Sequence, residues 1–120
     1  MSKKINSLFL TRGVPGTHDT QMLFQCIKNL KKNKFKNFTI PKFDKSIDDR
    51  VQKRQWLKVK KKPNIVIFEG WCVGVTAQKK KDLINPINKL EKHKDNKKIW
   101  RQMVNLELKN NYKKIFNLID

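Results

Sequence analysis

The sequence predicts an α/β chain, an incomplete parallel sheet with flanking helices. Three observations lead there. Pro63 and Gly70 bracket the run Asn64-Ile65-Val66-Ile67-Phe68-Glu69. A continuous apolar, β-branched run of that length is the pattern of a strand covered on both faces. Met22, Leu23, Cys26, Ile27 and Leu30 recur at helical spacing, and so do Ile99, Trp100, Met103, Val104, Leu108, Tyr112, Ile115, Phe116 and Ile119. Helices on either side of a buried strand imply a parallel sheet. Few strands are visible, so that sheet would keep open edges and bare apolar faces. A length of 120 residues leaves room for one domain at most, and the expectation is a single partial domain over residues 1–120.

The elements follow in order. Residues 1–10 read as a lead-in, slightly strand-like at Leu8–Leu10. Thr11–Asp19 is a turn-rich loop holding two of the four glycines. A helix follows, with Thr17 or Asp19 as its cap and Lys28, Lys31 and Lys32 at its carboxyl end. Phe38-Thr39-Ile40 reads as a short strand that Pro41 stops. Lys42–Lys62 reads as a charged loop with a short helical turn. The buried strand comes next, then a mixed stretch over Asp82–Lys94 with Pro86 inside it. Asp95 caps a long amphipathic helix that runs to Asp120.

The formal net charge of +19 is the outlier of the composition. Such a balance suggests an anionic partner, and a lysine-rich nucleic-acid-binding protein is the alternative reading. Only Arg12, Arg50, Arg54 and Arg101 are arginines among the 29 basic residues. Base-reading sites lean on arginine's bidentate fork. A surplus of Lys, Asn, Ile and Phe is also what an AT-rich genome encodes, so the charge is read mainly as compositional bias. Cys26 and Cys72 lie far apart, without metal-ligand spacing, and read as reduced thiols of a cytoplasmic protein. No apolar run approaches membrane-spanning length.

Three motifs carry chemistry. In Arg12-Gly13-Val14-Pro15-Gly16-Thr17-His18-Asp19, two glycines fix a tight loop where a helix begins. A helix start presents free N–H groups to an anion, and Arg12 adds a clamp for carboxylate or phosphate. A lone PGT would be a capped turn, but the density of polar groups favours a ligand. Pro41-Lys42-Phe43-Asp44-Lys45-Ser46, followed by Asp48, Asp49 and Arg50, supplies carboxylates and cations just after a strand end. It reads equally as a binding loop or a solvated one. Glu69 ends the buried strand before Gly70-Trp71. An acid there points into the crevice where α/β sheets bind ligands, and it can hold Mg²⁺.

These motifs in this order resemble the D-glycerate 3-kinase family of P-loop kinases, related to uridine kinases. The later stretch is similar too: Pro86-Ile87-Asn88-Lys89-Leu90-Glu91, Asp95, Trp100-Arg101, Val104-Asn105 and Tyr112. The resemblance covers nearly the whole chain from about Leu10. It implies ATP-dependent phosphoryl transfer to a hydroxyl of a hydroxy acid, with Mg²⁺. It places Asp19 and His18 at the acceptor, Asp19 in a catalytic role, and Arg12 near the acceptor's anionic group. Asp44, Lys45 and Arg50 would line the same pocket. Glu69 would be the catalytic carboxylate near the metal, and Arg101 and Asn88 would belong to a lid near the phosphates.

One departure stands against that match. No Gly-x-x-x-x-Gly-Lys-Ser/Thr loop is present, since none of Gly13, Gly16, Gly70 and Gly74 precedes Lys-Ser/Thr. The acidic strand end that the family carries upstream of the RGVPGTHD stretch is missing as well. The expectation is therefore the middle-to-late portion of a P-loop kinase-type domain, inactive alone. It would be a truncated frame, a degenerate paralogue, or the partner of a P-loop-containing N-terminal half in a split kinase.

Overall fold

In the computed structural model, which describes residues 6–120, the first helix begins where its cap is expected. Asp19 accepts a hydrogen bond from the Met22 amide at 3.0 Å, which satisfies one of the free donors at a helix start. Helix α1 spans Thr20–Lys31 and buries Ile27. Lys28 and Lys31 fall in its last turn, where positive charge suits the helix dipole. Upstream, a single 3-10 turn at Ser7–Phe9 replaces the strand-like lead-in. The Asn6 side chain accepts from the Leu8 amide at 2.9 Å, a local bond that competes with extended pairing. The lead-in before Asn6 lies outside the described residues.

Strand β1, Phe38–Ile40, pairs antiparallel with β4, Leu57–Val59, so that Phe38 faces Val59 and Ile40 faces Leu57. Between them β2, Phe43–Asp44, and β3, Asp49–Arg50, form a hairpin with Phe43 opposite Arg50. Asp44 shapes its turn by accepting from the amide and the hydroxyl of Ser46 at 2.9 and 2.7 Å. The helical turn expected between Lys42 and Lys62 is the 3-10 turn Lys53–Gln55. The strands around it were not expected, being too short and too charged to show a period.

Both sheets of the described residues are antiparallel pairs, β1 with β4 and β2 with β3. The expected buried strand, Asn64–Gly70, is not among their strands. Ile65 is 80% and Ile67 87% exposed, whereas Phe68 is half-buried. A strand apolar on both faces needs neighbours on both edges and both sides, and neither small sheet supplies them. The radius of gyration is 16.8 Å, against about 13.6 Å for a compact domain of this length.

The carboxyl-terminal half is helical. Helix α2 covers Lys89–Lys94 and α3 covers Ile99–Glu107. A π-helical turn, Leu108–Tyr112, leads into α4, Lys113–Phe116. The long helix thus starts later than expected, because Lys98 is left-handed at φ 63°. Asp95 still caps it, accepting from the amides of Trp100 and Arg101 at 2.8 and 3.1 Å. Leu108, Tyr112 and Ile115 are its buried apolar residues, and with Phe9, Ile27 and Leu83 they make the core. Ile99 and Ile119, expected on that face, are exposed.

Candidate functional site

The loop between Arg12 and Asp19 is held by its own side chains. Thr17 Oγ1 accepts from the Gly13 amide at 3.0 Å and donates to the Val14 carbonyl at 2.7 Å. Gly13 and Gly16 have φ values of 145° and 100°, which L side chains rarely adopt. At Gly16 a Cβ would also come within 3.3 Å of Phe9 and 3.4 Å of Glu107, so the loop lies directly on the core and on α3.

This loop, α1 and the β2–β3 hairpin enclose a pocket of about 210 Å³. Its polar wall is Arg12, Asp19 and Arg50, and its apolar wall includes Met22, Cys26 and Phe43. The hairpin register explains the arrangement. Phe43 and Arg50 are direct partners, so their side chains stand on one face. Phe43 carries the Arg12 guanidinium 3.7 Å above its ring centre, a stack that leaves the guanidinium edge able to donate. Arg50 reaches Asp19 Oδ2 at 2.9 Å. The other oxygen of Asp19 is the helix cap. The volume is below the roughly 300–1,000 Å³ of drug-sized sites. Burial, and then the nearby Asp19 charge, push the Cys26 thiol up, which disfavours its thiolate.

His18 follows Thr17 on the same loop and is not among the residues that line the pocket. Its Nδ1 is hydrogen-bonded to the hydroxyl of Tyr112, which comes from the π turn. Burial lowers the His18 pKa below its ordinary value, and the Arg12 charge lowers it further. Asp44 does not line the pocket; both bonds from Ser46 turn it into the hairpin and lower its pKa. Lys45 is exposed in the same turn.

Glu69 is exposed and does not line the pocket. The chain just after it does reach the loop. A Cβ on Gly13 would come 3.1 Å from the Trp71 ring, and the Cys72 thiol lies 3.6 Å from the Gly13 carbonyl. Among the described residues no group of three His, Cys, Asp or Glu side chains could hold a metal ion.

The two residues expected in a lid have structural work instead. Arg101 is 5% exposed and donates to the Leu83 carbonyl at 2.9 Å and the Asp95 carbonyl at 3.1 Å. Its guanidinium also lies 3.4 Å from the Asp95 carboxylate and 3.7 Å from that of Glu91. A guanidinium so surrounded has no edge left for a phosphate. Asn88 caps α2, accepting from the Glu91 amide at 2.9 Å. A larger groove of about 1050 Å³ runs beside α3 and α4, closed by a strap that includes Gln78, and holds none of the expected site residues. Asn105 ties that strap down through two hydrogen bonds to the Gln78 backbone.

The chain is similar to a protein of Schizosaccharomyces pombe described as an uncharacterized kinase, mug58. Identity is 39% over 74 residues, which covers 58% of this chain and 27% of that protein. The chain thus spans about a quarter of the relative's length. No protein-family model matches the chain, and no solved structure does. No helix among the described residues is long and apolar enough to cross a membrane.

The residues present do not by themselves fit ATP with Mg²⁺. The start of α1 is closed to a phosphate by Asp19, and among the described residues Glu69 belongs to no cluster of three metal-ligating side chains. What they do form is a small pocket with two cations and one carboxylate. Phe43 and Tyr112 are parts of this region that sequence reasoning did not assign. Phe43 sits inside the quoted Pro41–Ser46 motif, next to Asp44, and that adjacency is its one local signal. Tyr112 reads as core because its partner, His18, is 94 positions away.

Proposed function

We propose that this chain carries the acceptor side of an ATP-dependent small-molecule kinase, and that the acceptor is a small hydroxy acid of the glycerate class. The observation that supports it is the pocket in which Arg12 and Arg50 stand around Asp19. Two cations beside one carboxylate suit a ligand that is itself an anion bearing a hydroxyl. Arg12 pairs with the ligand carboxylate. Asp19 accepts from the hydroxyl and serves as the base that takes its proton. Arg50 holds the Asp19 carboxylate in place. The similarity to part of a kinase supports phosphoryl transfer as the reaction class, and the RGVPGTHD and FEGW motifs support the hydroxy acid.

In this reading ATP with Mg²⁺ would supply the phosphoryl group, held by a P-loop-containing part of the kinase and not by the residues of this chain's pocket. That part also supplies the strands that make Asn64–Gly70 the middle of a parallel sheet. Glu69 would then stand at that strand's carboxyl end, where a carboxylate can hold Mg²⁺.

The test is an NMR titration of the chain with D-glycerate and, as a control, with propionate, which has no hydroxyl. The expected result is saturable shifts at Arg12, Asp19 and Arg50 with glycerate and weaker ones with propionate. Shifts spread over the surface lysines, equal for both acids, would sink the acceptor reading.

A further inference from the structure

We propose that Tyr112 is a positioning residue: its hydroxyl donates to Nδ1 of His18 and holds the imidazole neutral, with its proton on Nε2, on the loop that builds the acceptor pocket. The role assigned to His18 at the acceptor rests on the function proposed above. The hydrogen-bonding state of the pair does not.

The geometry of the helix carries the argument. Leu108–Tyr112 is a π-helical turn in an otherwise α-helical run from Ile99 to Phe116. Such a turn admits one extra residue, strains the backbone ladder, and frequently occurs at functional sites. Here it brings Tyr112 inward, to 5% exposure. Phe116 packs edge-on against the Tyr112 ring with centroids 5.9 Å apart, which fixes the direction of the hydroxyl. The His18 ring meets Tyr112 at a tilt of 58°.

The direction of the hydrogen bond follows from counting protons. A buried tyrosine hydroxyl needs a partner for its one proton. Tyr112 keeps that proton, because burial first, then the nearby Cys72 and Glu107, push its pKa up. Nδ1 of His18 is the acceptor in reach. An imidazole that accepts at Nδ1 is neutral and carries its proton on Nε2. The charges around it favour this form. Arg12 opposes a second positive charge, and Asp19, the nearest carboxylate in sequence, is already paired with Arg50. His18 therefore carries a neutral N–H donor on the loop that supplies Arg12, and does not compete with the base.

The experiment is a ¹H–¹⁵N correlation of the His18 ring in the wild-type chain and in Tyr112→Phe, followed across pH. The wild-type ring is expected to show a protonated Nε2 and a bare Nδ1 at neutral pH. In Tyr112→Phe the two tautomers should mix and the titration midpoint should move up towards 6.5. With D-glycerate as the probe, affinity should fall roughly tenfold, the scale of one lost hydrogen-bonding contact. A proton on Nδ1 in the wild type overturns the proposal, and so does an unchanged midpoint and tautomer in Tyr112→Phe. An unchanged glycerate affinity, with the ring altered as expected, overturns the positioning role. If the wild-type chain binds no hydroxy acid while the ring behaves as stated, the tautomer assignment is upheld and the acceptor reading fails.

Discussion

The guanidinium of Arg50, on the β2–β3 hairpin, closes a 2.9 Å ion pair with Asp19 at the start of α1, joining residues 31 positions apart. The pair spans the pocket wall, so it ties the geometry of a loop to that of a hairpin. Both side chains are more than a third exposed, 40% and 44%. An ion pair that wet contributes at most about 1 kcal/mol to stability.

Arg50→Ala should therefore leave the urea midpoint nearly unchanged while lowering hydroxy-acid affinity about tenfold or more. Asp19→Asn should be as mild towards folding, because Asn caps a helix about as well as Asp does. Under the function proposed above it should also abolish phosphoryl transfer once a P-loop-containing partner is present, since the amide cannot take a proton. Calorimetry and urea denaturation on the two variants check this. Losses of more than about 2 kcal/mol in both would make the pair structural.

Arg101 should behave in the opposite way. It is buried with Asp95, itself 2% exposed, and Glu91, 7% exposed. Removing one member of such a cluster strands the others, at a cost of about 3–5 kcal/mol. Arg101→Met should unfold at a far lower urea concentration than wild type. Arg101→Lys should not rescue it, because one ammonium lacks the fork of donors that meets the Leu83, Ile84 and Asp95 carbonyls together with the Asp95 carboxylate. A stable Arg101→Met that loses only anion binding would return this residue to a lid.

The third expectation concerns pH. The folded-state pKa of His18 lies below its ordinary 6.5, so the unfolded chain binds more protons between those two values. Stability is then full above about pH 6.5 and is lost as pH falls through the folded pKa. The thermal midpoint should drop on going from about pH 7 to about pH 5, and His18→Gln should flatten that slope. Asp44, also lowered, acts only below its ordinary 3.8 and does not overlap this window. A slope that is the same in His18→Gln would assign the loss to other groups.

What could be read from the sequence divides by how local the physics is. The start of α1 was legible because an Asx cap and an apolar stripe lie within one helix. Arg12, Asp19 and Arg50 were legible as polar motifs beside turns, and they line one pocket. The hairpin that gathers them was not, since two-residue strands have no period. The fate of Arg101 was also hidden. Its burial depends on Leu83 and Asp95, and nothing in Trp100-Arg101 states whether the guanidinium meets them or a phosphate. The strand reading of Asn64–Gly70 rests on the side chains wanting cover on both faces. Whether that cover exists is decided by chain elements that the run itself does not contain.

That uncovered run carries the last prediction. Ile65, Ile67 and Trp71 are 80%, 87% and 84% exposed within seven residues. Each large apolar side chain left in water forgoes about 1.5–3 kcal/mol of burial. A cluster of that kind drives association when nothing else covers it. The net charge of +19 opposes association through repulsion between chains. Repulsion is screened over about 10 Å at 0.1 M salt and about 3 Å at 1 M, whereas apolar burial is not weakened by salt. Self-association of the chain alone should therefore rise with salt, the reverse of what binding through lysines would show. Sedimentation velocity at the two salt concentrations measures it, and Ile65→Lys with Ile67→Lys should abolish it. Under the function proposed above, a P-loop-containing partner that supplies neighbouring strands should suppress it equally well. A wild-type chain that stays monomeric at both salts, with a cooperative unfolding transition that such a partner leaves unchanged, would mean that Asn64–Gly70 needs no cover.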